Sequence, residues 1–190
     1  MIDRLQPAAA DMAEGLRGAL ALAVGRPEGV RHFGADLPAA ARSFRAAGVA
    51  LPGFLCLHLM DVLAGHAPGA PWNGLVLDLL GYAIGWAGFA LLSHRMAAAL
   101  GRSDRWPRYI AAWNWCNVVQ YVLLIGAMLP VLLGMPGWLD HVAGLVALFW
   151  AVWLEWFTAR VALEVGGLQA AGLVLMDIGL GVLLSIVTGG

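Results

Sequence analysis

The sequence contains no lysine; all 11 of its basic residues are arginines. Charge of either sign is scarce. Asp, Glu, Lys and Arg together make up 12% of the residues, where soluble chains carry about 25%. That is too little charge to clothe a soluble surface, and a formal net charge of -1 gives no basic field for nucleic acid. The missing lysine, beside heavy use of Ala and Gly, reads as a GC-rich bacterial coding bias. Cysteine is nearly absent. Cys56 and Cys116 both lie inside apolar runs, without CxxC spacing, and read as small buried apolar residues. The N-terminus lacks the basic region of a signal peptide. Asp3, Asp11 and Glu14 stand there instead, and the apolar stretch 19–24 is too short, so the segment is expected to be retained.

Catalytic patterns are missing as well. There is no glycine-rich phosphate loop after a strand, no serine elbow and no HExxH. Bis-histidine haem needs two facing histidines at one depth. His58 falls in the outer half of the bundle, His94 and His141 fall at opposite ends, and His32 and His66 fall outside the spans. The sequence therefore predicts no catalytic residue, no metal site and no cofactor, hence a non-enzymatic protein.

What the chain does have is apolar length. Hydrophobic residues make up 61%, gathered into five runs at 44–64, 74–94, 109–129, 139–159 and 167–187. Each is about 20 residues, enough to cross about 30 Å of hydrocarbon. The expected fold class is an all-α membrane protein: a five-helix transmembrane bundle over 44–190, preceded by a cytoplasmic segment over 1–43. The arginines set the orientation. Arg4, Arg17, Arg26, Arg31, Arg42 and Arg45 come at or before the first run. Arg95, Arg102, Arg105 and Arg108 separate the second from the third, and Arg160 closes the fourth. The alternate connections, 64–73 and 130–141, carry none. Positive loops stay inside, so the N-terminus is expected in the cytoplasm and the C-terminus in the periplasm of a bacterial inner membrane.

Within the first 43 residues, 6–25 reads as an amphipathic helix. Met12, Leu16, Leu20 and Ala23 recur at helical spacing. It is expected on the membrane surface or against the bundle. Asp36 is placed to cap a second helix with Pro38 in its first turn. Pro52 should kink the first span. Trp72, Trp106, Trp138 and Trp156 fall at expected water interfaces.

Several polar side chains fall inside the spans. Asp177 lies near the middle of the fifth, where an acidic group facing lipid costs several kcal/mol. Asn114, Asn117 and Gln120, spaced by three on the third span, are its natural partners. In the outer half, His58 and Asp61 lie one turn apart on the first span, with Asp78 at similar depth on the second. Gly81, Gly85 and Gly88 share the face of Asp78 and invite close helix packing. Glu155 lies beside Trp150, Trp153 and Trp156 on the fourth span, and Glu164 follows Arg160 by four residues, in reach of an ion pair. Arg95, Arg102, Arg105 and Arg108 suit anionic lipid headgroups.

The topology, with Arg26-Pro27-Glu28-Gly29, Phe33 and Ser43-Phe44 leading into the first span, resembles the Yip-type family of small five-helix membrane proteins, in its short bacterial members. The resemblance implies a fold rather than an activity. The long cytoplasmic domain of the eukaryotic members is missing here, so their trafficking partners do not carry over. The expectation is an accessory or organising subunit of a membrane complex. It would act by helix–helix association with membrane lipids and with other membrane-protein subunits or itself, and bind no nucleic acid. The alternative is a proton-coupled small-solute permease or channel using Asp177 and the third-span Asn/Gln face.

Overall fold

In the computed structural model the described residues are 5–63 and 71–188, with the side chains of 5–8, 61, 71–73 and 188 excepted. Arg4, His66, most of the 64–73 connection and the side chains of Asp61 and Trp72 lie outside them. Every regular element among the described residues is a helix. The order is α1 (Leu5–Ala23), a short 3-10 helix (Pro27–His32), α2 (Leu37–Ser43), α3 (Arg45–Leu63), α4 (Pro71–Ala99), α5 (Trp106–Ala127), α6 (Leu129–Leu132), α7 (Gly137–Leu163) and α8 (Gly167–Thr188).

Five stretches are long and apolar enough to cross a membrane: Leu37–Met60, Gly74–Ala99, Trp106–Leu132, Gly137–Leu163 and Gly167–Val187. The protein is thus an all-α bundle of the multi-pass membrane class. The first stretch begins seven residues before the expected 44–64. Its start is fixed by Asp36, whose Oδ1 accepts a hydrogen bond from the Ala39 amide at 2.6 Å, with Pro38 in the first turn. The third and fourth stretches also overrun their expected ends. Polar termini such as Trp106-Pro107-Arg108 lower hydropathy without stopping a helix, because proline is tolerated in a first turn.

The helix α5 is the hub. From Tyr109 to Cys116 every residue is buried, because α1, α2, α3, α4 and α7 all pack against it. Its polar members find partners in those neighbours. The Asn114 Nδ2 donates to Ser43 Oγ at 2.7 Å, and Cys116 Sγ lies 3.5 Å from Thr158 Oγ1 on α7.

The first helix docks on this hub. Its buried stripe runs through Ala19, Leu22 and Ala23, with Met12 and Leu16 half-buried. The sequence pattern had placed Leu20 in the stripe, yet Leu20 is 56% exposed and Leu22 fully buried. The difference is one of register: Leu16, Ala19 and Ala23 continue the i, i+3, i+7 rows, which Leu20 borders. Close approach depends on glycine. Gly15 lies directly under the Trp115 indole. A Cβ on Gly29 would sit 2.6 Å from the Gly18 carbonyl oxygen, and one on Gly18 would sit 2.7 Å from the Phe33 ring. Ion pairs ring the joint. Asp11 Oδ2 lies 3.3 Å from Arg42 Nε and 3.7 Å from Arg45 Nη1. Glu14 meets Arg17 and His32, both at 2.7 Å.

At the same end of the bundle, α7 stops at Glu164, which takes left-handed backbone angles of φ 51° and ψ 52°. For a residue with a Cβ this costs about 1–2 kcal/mol. It turns the carboxylate away from the helix and onto the Arg105 guanidinium. The expected Arg160–Glu164 helix pair therefore does not form, since Glu164 has left the helix. The Arg160 guanidinium lies instead over the Trp156 ring, 4.8 Å from its centroid.

Two outcomes test this joint. Gly29→Ala forces the 3-10 helix off α1 and should cost about 1–3 kcal/mol, as overpacking does, read as a lower unfolding midpoint in mild detergent. The Glu14 carboxyl is held below its ordinary value, chiefly by the hydrogen bond from His32 and then by Arg17. A depressed carboxylate contributes stability above its unfolded value of 4.5 and loses it as pH falls through the lower folded value. Protection factors of the α1 amides, corrected for intrinsic exchange, should therefore fall below pH 4.5, and Glu14→Gln should remove that dependence.

Candidate functional site

Away from the arginine-rich end, α3, α4, α5 and α8 separate around a cavity of about 300 Å³. Small residues create the gap. Gly81 and Gly85 on α4 and Gly181 and Ser185 on α8 line it. A Cβ on Gly85 would meet Leu184 at 3.6 Å, and one on Gly88 would meet Leu180 at 3.4 Å. These are ordinary van der Waals contacts, so the glycine face of α4 is used within this chain, against α8. A Cβ on Gly181 would meet nothing within 4 Å.

One wall of the cavity is aromatic. Tyr82 and Trp86 of α4 sit 5.9 Å apart by ring centroids. Phe54 of α3 lies 4.8 Å from Tyr82, and Tyr121 of α5 lies 6.4 Å from it. Trp113 of α5 stacks on Phe89 at 4.1 Å and meets Trp86 edge-on at 5.5 Å. The Tyr82 hydroxyl reaches across to α3 and donates to the Ala47 carbonyl at 2.6 Å, tying this wall to the first span.

Acidic groups stand at two levels. Asp78 lines the cavity from α4, and its Oδ2 lies 2.8 Å from His58 Nδ1 on α3. The structure thus joins two of the three residues expected as an outer-half cluster; the Asp61 side chain is outside the described residues. Asp177 lines the cavity at mid-depth. It interacts with Glu155 of α7, which accepts a hydrogen bond from Gln120 Nε2 at 3.4 Å. The same amide nitrogen lies 3.3 Å from the Ala151 carbonyl. The helices α7 and α8 turn back on each other at Val165 and Gly166 and rise equally, about 1.5 Å per residue. That brings the two carboxyls level.

The expected network of Asp177 with Asn114, Asn117 and Gln120 needs correction. Residues three apart on a helix step back about 60°, so the three amides fan over about 120° and meet different neighbours. Asn114 faces α2 and bonds Ser43. Asn117 lines the cavity with Asp177 but donates to its own helix, at the Trp113 carbonyl, 3.0 Å away. Gln120 reaches Asp177 only through Glu155.

The arginine set also divides. Arg105 is taken up by Glu164, and Arg108 Nε donates to the Phe33 carbonyl at 3.3 Å. Both brace the arginine-rich end from within. Arg95 and Arg102 make no ion pair among the described residues, and Arg95 is exposed. Tyr82, Trp86, Trp113 and Tyr121 join the site only in the folded bundle. Nothing in their local spacing marks them, because they come from two helices and gather only when the bundle closes.

Tyr82→Phe removes the tie to Ala47 and should lower stability by about 0.5–1.5 kcal/mol, measured by unfolding in mixed micelles. An unchanged midpoint would mean that α3 and α4 are held by packing alone.

No family model, no curated protein and no solved structure matches this chain.

Proposed function

We propose that this is a multi-pass protein of a bacterial inner membrane, with its N-terminus in the cytoplasm, that admits a small polar solute to the cavity between α3, α4, α5 and α8. The observation that carries this reading is an aromatic-walled cavity with Asp177 at mid-depth of an apolar bundle. Acidic side chains at such depth are costly and belong to solute and proton pathways. Asp177 stands against Glu155 of α7, and paired carboxyls at such depth serve as proton relays. Passage of the solute is then coupled to proton transfer.

The accessory-subunit reading is weaker on this geometry. The features that suggested helix association are largely engaged inside the chain. Gly85 and Gly88 face α8, and Trp156 Nε1 donates to the Gly167 carbonyl at 2.9 Å. The Yip-type likeness remains a proposal about architecture and supplies no activity.

The test is solute-driven proton movement in liposomes containing the purified protein, followed with a pH-sensitive dye across a panel of small polar solutes. Asp177→Asn should cut the movement at least about tenfold, the scale at which a single proton-transfer group contributes, and leave helix content unchanged. Undiminished movement in that variant would sink the coupling.

A further inference from the structure

Resting on that solute-binding role, the geometry points to the chemical class of the solute: we infer that the cavity takes a small organic cation, such as a quaternary ammonium compound. The charges of the lining are one-sided. Asp78 and Asp177 both face the cavity, and no Arg, Lys or His lines it among the described residues. Asp78 is anchored through His58, and Asp177 is backed by Glu155 and, behind that, Gln120. An anion would meet repulsion at both levels. A cation would meet a fixed carboxylate at either.

The wall selects the kind of cation. Tyr82, Trp86, Trp113 and Tyr121 contribute aromatic rings, whose π faces attract a positive charge within about 6 Å of the centroid. A bare metal ion is poorly suited, because no group of three His, Cys, Asp or Glu side chains converges among the described residues, and hard cations require several oxygens at once. A weakly hydrated ammonium needs no such cage. The volume, about 300 Å³, is at the small end of ligand pockets and fits a compact solute.

The experiment is isothermal titration of the full chain, in a neutral detergent, with choline, with its uncharged carbon isostere and with acetate. Choline should bind, and the isostere and acetate should bind at least about tenfold more weakly, the margin expected when an ion pair and ring contacts are lost. Gly181→Leu places a side chain into the empty space beside Asp177 and should abolish choline binding without lowering the unfolding midpoint. Should that variant fold poorly, Asp177→Asn serves in its place, with a loss of about tenfold expected. Equal binding of the isostere, preference for acetate, or choline binding indifferent to both substitutions overturns the assignment. Choline binding in the expected pattern with no proton-linked movement would retain the ligand class and remove the transport role. Proton-linked movement of other solutes without choline binding would do the reverse.

Discussion

Inside a hydrocarbon-facing bundle a polar side chain has no water to fall back on, so it bonds to helix backbone or to a neighbouring helix. Much of this architecture follows from that constraint, and α5 is where it is met most often. Asn114 draws in α2 through Ser43, Cys116 meets Thr158 of α7, and Gln120 reaches Glu155. These contacts, with the apolar faces around them, explain why α5 is buried along most of its arginine-proximal half. The helices that surround it meet it with small, polar and large apolar residues alike, Phe89 of α4 stacking on Trp113 among them.

The bundle is built unequally along its axis. At the arginine-rich end, α1 and the 3-10 helix clamp onto α5 through Gly15, Gly18 and Gly29. The Arg105–Glu164 pair and the Trp156–Gly167 hydrogen bond close the turns there. Towards the other end few residues are buried, and Leu129, Val131, Leu132 and Leu133 of α6 and its flanks are exposed. The cavity opens in this more loosely packed part. Local stability follows contact density, so a rigid base carries a more loosely packed half. That division suits the proposed admission of a solute.

Different elements were legible to different degrees. Membrane class and the existence of five apolar helices follow from run length, since a helix needs about 20 apolar residues to cross. The cap at Asp36 was also readable, because a carboxylate three residues before a free amide is a local pattern. The pairing of His58 with Asp78 could be proposed from depth along antiparallel spans. The partners of Asp177 could not. Glu155 lies on a helix whose rotation about its own axis the apolar pattern leaves open, since α7 is hydrophobic on every side. Arg160 was parted from Glu164 by a different cause, the left-handed turn at Glu164 that ends α7. Periodicity gives a face only where polar and apolar residues alternate around the helix.

Composition and run length alone make this chain an all-α, multi-pass membrane protein, because both are properties of segments and need no neighbour. Which faces meet is a matter of packing: Asn114 turns to α2, Glu155 stands behind Asp177, and four rings from α4 and α5 form one wall beside Asp78 and Asp177. The reason lies in the absence of a water-facing side. In a soluble helix, solvent fixes which face turns inward. Here lipid accepts nearly any apolar face, so helix rotation is set by a few polar and glycine contacts between segments distant in sequence.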